Sequence, residues 1–214
     1  MLPTDYQSKF TSSFTSGGFY KMASILSSYD KRVITSLKKH NILQSVEANR
    51  IDESEGAIMV TCADGDQFFD VFQHHSDVCK QCRDDTRIHV LALNGGAKLI
   101  AHNSTLDTMG EGNVLMKHIA GAMQLKKITT VVLYAHAPCG AAYLHGVSFD
   151  KVLDLLFGAK ERIKKAHPHA KVACFCHIAD GDKKRTYFVS RDSWLSSRSA
   201  VLEDIAMEPL NLCH

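Results

Sequence analysis

The stretch VVLYAHAPCGAA, residues 131–142, decides how the chain is read. An apolar, β-branched run ends at Tyr134, which predicts a buried strand over 128–134. The residues that follow, His136-Ala-Pro-Cys139-Gly140, form a strand-to-helix turn that folds two side chains toward one point. Imidazole nitrogen and thiolate sulfur are the donors that soft metal ions prefer. A His-x-x-Cys pair therefore sits where a buried strand stops.

Residues 57–66, AIMVTCADGD, have the same design. A short apolar run predicts a strand over 57–62, and Asp64-Gly65 turns the chain. Cys62 and Asp64 stand at that strand end, two residues apart. On extended chain that spacing puts both side chains on one side. Further strands are expected over 87–93, closed by Asn94-Gly95-Gly96, and over 171–178. Asp180-Gly181-Asp182 then reverses the chain into an antiparallel extension over 185–190.

Helices are expected between the strands. Met22, Ile25, Leu26, Tyr29, Val33, Ile34 and Leu37 recur at spacings of three and four, the pattern of an amphipathic helix ending near His40. Another helix starts over 107–112 and presents Leu115, Ile119 and Ala122. Ser148 is placed to cap a long one running to about Ala166, and a last helix covers 194–205. Phe68 to Phe72 predict a short helix or turn. His74, His75 and the pair Cys79-x-x-Cys82 are read as an exposed polar segment, with a redox pair or a second metal as the functional alternative to plain loop thiols.

Alternating strands and helices predict an α/β fold: a mainly parallel β-sheet of about four strands, flanked by helices. Residues 1–45 are expected to form an N-terminal arm and helix. Residues 46–214 are expected to form the α/β domain, the whole being one globular unit. In such sheets ligands bind outside the carboxyl ends of the strands. Cys62 and His136 both fall at such ends.

Composition narrows the classes. A net charge of +2, with basic residues in short scattered clusters, gives no nucleic-acid footprint. No run approaches the ~18 apolar residues of a membrane helix. The first twenty residues lack a basic start followed by an apolar block, so no secretory signal is expected, and the chain is assigned to the cytoplasm or an organellar stroma or matrix. Seven cysteines, an odd number, then read as reduced thiols or metal ligands rather than a disulfide framework.

Cys62, His136 and Cys139 together supply two sulfurs and one nitrogen, a donor set suited to zinc. Asp64 can reach the metal or its fourth position. Gly140 and Ala141 leave room at the start of the next helix, whose amides can face an anionic substrate. Cys174 and Cys176 alternate on a strand and read as buried packing. His118, His145 and His177 read as surface histidines, with proton transfer as their functional alternative. Tyr134 and Tyr143 flank the turn, as core or as pocket lining.

At these residues the chain resembles the β-carbonic anhydrase family. That family carries Cys-x-Asp-x-Arg on one strand end and His-x-x-Cys on a later one. The counterparts here are Cys62-Ala-Asp64-Gly-Asp66 and His136-Ala-Pro-Cys139-Gly140. Leu91-Ala-Leu-Asn94-Gly-Gly96 resembles the Arg-Asn-Ala-Gly segment between them, and the likeness spans about 20–190. The resemblance implies a zinc enzyme that activates water and hydrates CO2 to bicarbonate. It also implies Cys62, His136 and Cys139 as ligands, Asp64 as the gating and catalytic residue, and a homodimer or dimer of dimers. Asp66 stands where the family has the arginine that pairs with the motif aspartate. Three outcomes follow: Arg83 or Arg87 replaces that arginine, Asp64 closes the site, or the scaffold serves carbonyl sulfide, carbon disulfide or no reaction.

Overall fold

The architecture is taken from a computed structural model that describes residues 25–45, 55–80 and 87–207. Helix α1 (Ser28–Lys39) leads into a two-residue strand β1 (Leu43–Gln44). Strand β2 (Ala57–Cys62), helix α2 (Gly65–Lys80) and strand β3 (Ile88–Leu93) follow. A 3-10 turn over Gly96–Ile100 precedes helix α3 (Glu111–Lys126) and strand β4 (Thr130–Ala137). The described residues continue with the short α4 (Gly140–Leu144), α5 (Phe149–Ala166), β5 (Lys171–Asp180), β6 (Lys183–Val189) and α6 (Arg191–Met207).

The strands form one mixed sheet of six, in the order β1-β6-β5-β4-β2-β3. Strands β2, β3, β4 and β5 run parallel to one another, as expected, and β6 pairs with β5 as the antiparallel extension. Strand β1 has no counterpart in the sequence reading: two residues carry no periodicity, and it exists because Leu43 and Gln44 pair with Val189 and Phe188. From β2 the chain moves outward to β3 at one edge, then returns to the other side of β2 as β4. The topological switch point therefore lies between β2 and β4, where an open α/β sheet leaves a crevice.

Two apolar layers flank the sheet. The larger joins α1, α3, α5 and α6 to one face, with Val33, Leu37, Ile119, Leu156 and Trp194 at its centre. The smaller lies under α2, where Val71 meets Met59, Val132, Tyr134 and Phe175. Tyr134 is thus core, stacked on Phe175 with ring centroids 5.0 Å apart. Cys174 and Cys176 are buried, as expected. Burial pushes the Cys174 thiol up to about 12, which leaves it unreactive.

Helix α2 corrects the reading of residues 68–79. The chain there is not a short turn followed by an exposed polar segment, but a 16-residue helix that carries His74, His75 and Cys79 inward. His75 and Cys79 are both fully buried. The histidines face inward because Tyr134 satisfies them: its hydroxyl lies 3.0 Å from His74 Nδ1 and 3.2 Å from His75 Nδ1. A polar side chain with a buried partner can occupy an inward helical position that hydropathy alone would assign to solvent. Cys82 lies outside the described residues.

Burial, with His74 adding to it, pushes the His75 pKa down to about 3 from 6.5. Below about pH 6.5 the unfolded chain gains a proton that the folded chain refuses. Stability is therefore expected to fall as pH drops from about 6.5 toward 3, with this residue contributing about 1.4 kcal/mol per pH unit. Urea unfolding between pH 7 and 4 measures the slope. The His75→Gln variant should flatten it by about one proton, and an unchanged slope would remove His75 from the account.

Candidate metal centre

The site is assembled by sheet register. Strands β2 and β4 are parallel neighbours, with Val60 opposite Leu133. Extending that register two residues puts Cys62 beside Ala135, one residue short of His136. The crossover from β4 into α4 then brings Cys139 back over the strand ends, as the residue that caps α4. The Cys62 sulfur, a His136 ring nitrogen and the Cys139 sulfur all lie within 4.8 Å of one another, close enough to hold a metal ion. All three residues are buried, and none of the described cysteines is in a disulfide.

The donor chemistry fits zinc. His136 Nδ1 lies 2.8 Å from the Pro138 carbonyl, which can only accept, so Nδ1 carries the proton and donates it. That sets the tautomer and leaves the Nε2 lone pair as the donor toward the site. His136 Nε2 is buried and has no hydrogen-bond partner. A buried acceptor without a partner is costly, and a metal ligand position accounts for it.

The sulfurs are supported by one short turn. The Gly95 N–H donates to Cys62 Sγ at 3.3 Å. The Lys98 ammonium donates to Cys139 Sγ, also at 3.3 Å. Gly96 lets the turn approach so closely: its φ is +57°, and a Cβ there would collide with the backbone of Thr61 and Cys62. Cys62 is pushed up, chiefly by its hydrogen bond with Cys139 and then by burial. Cys139 is pushed down by that same bond and, against burial, by Lys98.

Asp64 sits at the mouth of this cluster. Its backbone carbonyl accepts from Phe68 N at 2.8 Å and so begins α2. Its Oδ1 accepts from Asp66 N at 3.0 Å, while Oδ2 lies 3.9 Å from His136 Nε2. Asp66 itself occupies the first turn of α2, where the helix dipole favours an acidic residue. Asp64 has no arginine or lysine partner among the described residues. Arg87 does not supply one: its guanidinium donates to the Glu55 and Lys126 carbonyls at 2.9 and 2.6 Å, at the far end of β3. Arg83 lies outside the described residues.

Other sequence candidates are distributed differently. Gly140 and Ala141 open α4 next to Cys139, and a Cβ on Gly140 would meet nothing within 4 Å. His118 and His145 are exposed. His177 is not a surface residue: it is 3% exposed, opposite His136 in the β4–β5 ladder, with Nδ1 2.8 Å from Thr186 Oγ1. Burial pushes its pKa down to about 4, so it is neutral. Tyr143 lines a cleft of about 590 Å³ together with His136, Cys139, Leu26, Phe149, Val152 and the acidic Asp30.

Lys98 is the site residue that sequence reasoning missed. Its signal was present: it is the one charged residue in the otherwise apolar run 95–101. A charge there needs a buried partner, but that partner comes from another strand. No protein-family model and no curated protein matches the chain. Among the described residues no helix is long and apolar enough to cross a membrane.

Proposed function

We propose that the protein is a zinc-dependent hydratase of CO2, a divergent member of the β-carbonic anhydrase family. The observation that carries this reading is the buried Cys62, His136, Cys139 cluster, with His136 Nε2 unpartnered, at the switch point of a mainly parallel sheet. Cys62, His136 and Cys139 would hold the metal. Zinc supplies a Lewis acid that makes water nucleophilic near neutral pH.

The chain's own residues supply the rest. Pro138 fixes the His136 tautomer, and Gly95 and Lys98 orient the two sulfurs. Asp64 is kept at the rim because its carbonyl and one carboxylate oxygen are engaged at the start of α2. In this reading a backbone amide does part of the work of the family's arginine. The other Asp64 oxygen remains available to accept a hydrogen bond from the reacting water. The adjoining cleft, lined mainly by apolar surface, suits an uncharged linear substrate. Gly140 and Ala141 offer uncrowded backbone beside the product anion. A homodimer, as the family pattern implies, belongs to the same proposal.

A second reading keeps the ligands and changes the substrate. A cleft of about 590 Å³ with apolar walls exceeds what CO2 alone requires, which favours the larger analogues carbonyl sulfide and carbon disulfide. Stopped-flow CO2 hydration run beside a sulfide-release assay separates the two. Hydration that disappears with zinc removal is the expected result. Sulfide release without hydration would establish the second reading. Neither activity in the zinc-replete protein would leave a zinc-stabilised binding or regulatory role.

A further inference from the structure

Lys98 is fully buried, one of the largest side chains in the molecule with no solvent access. An ammonium at that depth is strongly disfavoured unless a counter-charge meets it. Its hydrogen bond goes to Cys139 Sγ at 3.3 Å. Its place is built rather than incidental. Gly95 and Gly96 are both at positive φ, and Gly96 lies against the end of β2, so that the short turn of Gly95 and the 3-10 element after it reaches both sulfurs.

The charge count gives this contact a meaning. The family pattern pairs its motif aspartate with an arginine, and here that position is Asp66. Among the described residues Asp64 has no lysine or arginine partner, and its neighbour His136, 3.9 Å away, is neutral in the tautomer set by Pro138. A divalent metal with two thiolates is neutral, so without Lys98 the centre and Asp64 together would be anionic. The buried ammonium, hydrogen-bonded to Cys139 Sγ, brings that sum back to zero.

We propose that Lys98 is a positioning residue of the metal centre, whose ammonium holds the Cys139 sulfur and withdraws part of its negative charge, replacing the missing arginine charge. This rests on the metal reading above. Charge donated to a ligand sulfur by a neighbouring donor changes the electronics of the metal–sulfur bond as well as its orientation. That effect is what separates a positioning role from simple core filling.

Cobalt(II) serves as the probe, because its sulfur-to-metal charge-transfer band reports electron density on the thiolates. Lys98→Met, close in volume and without charge, is expected to move that band to longer wavelength. Lys98→Gln, which keeps an N–H donor, should fall between Lys98→Met and the parent. A second measurement needs no metal. With chelator present, Cys139→Ser leaves the ammonium without its anion and should lower the thermal midpoint by about 5 °C or more. Adding Lys98→Met to that variant should recover most of the loss.

Cobalt uptake with no band shift, or additive losses in the metal-free series, would overturn the assignment and leave the hydratase reading untouched. A band shift in a protein that hydrates no CO2 would sink the hydratase reading and keep Lys98 in its role. A protein that takes up no cobalt would overturn both.

Discussion

Replacing His136 with alanine is expected to remove the metal while leaving the fold intact. Zinc in sites of this kind is bound with roughly 10–16 kcal/mol shared by about four ligands. Losing one donor therefore costs about 3 kcal/mol, a more than hundredfold drop in affinity. Because Nε2 makes no hydrogen bond within the protein, its removal breaks no structural contact. The lost Nδ1 bond to Pro138 lies in the same turn, so any loosening stays local. After dialysis against a chelator chosen so that the parent just keeps one metal per chain, the variant's metal content should fall to near zero. Full metal content in this variant would show that His136 is not a ligand.

The second large effect is expected at Gly96. A side chain there must adopt φ near +57°, which costs about 1–2 kcal/mol for any residue with a Cβ. The added Cβ also meets the Thr61 carbonyl oxygen at 2.7 Å and lies still closer to the Cys62 amide nitrogen. These atoms belong to the Thr61–Cys62 peptide of β2, and backbone cannot yield as a flexible side chain would. Gly96→Ala should therefore destabilise the metal-free protein by about 3–5 kcal/mol, a large part of the 5–15 kcal/mol that holds a typical domain. Urea unfolding reads this directly. Gly121→Ala is the control: a Cβ at Gly121 would meet nothing within 4 Å, and alanine inside α3 should be neutral or stabilise by up to about 1 kcal/mol. If Gly96→Ala unfolds like its parent, the tight turn is not what positions Gly95 and Lys98.

Much of this arrangement was legible in the sequence because it follows from local patterns. Apolar runs that end in turn residues gave β2, β3, β4 and β5, and their alternation with helices gave a mainly parallel sheet. Once the strands were parallel, Cys62 and His136 had to lie on the same side of the molecule. Their adjacency then needed only β2 and β4 to be neighbours, which they are. The parts that were not legible depend on contacts between distant segments. Lys98 reads as an anomaly until the Cys139 sulfur is placed beside it. His75 reads as exposed until Tyr134 is placed beneath it. Arg87 was a reasonable cation by charge, but strand β3 carries it to the wrong end, on the order of 20 Å from Leu93 at the strand spacing of about 3.3 Å per residue.

Asp66 changes meaning most between sequence and structure. Set against the family pattern, it removes the cation that restrains the motif aspartate. In the fold it is a first-turn residue of α2 whose amide holds Asp64 Oδ1. On the proposed hydratase reading, the restraint on Asp64 therefore comes from the backbone rather than from a side chain, while Lys98 reaches the cluster from the turn after β3. Strand end, helix start and turn each contribute one piece, which no single motif contains.

The most direct test of the metal centre is X-ray absorption at the zinc edge on the zinc-loaded protein. The account predicts one zinc per chain with two sulfurs near 2.3 Å and two nitrogen or oxygen neighbours near 2.0 Å. A first shell without sulfur, or one made of four sulfurs, would contradict it.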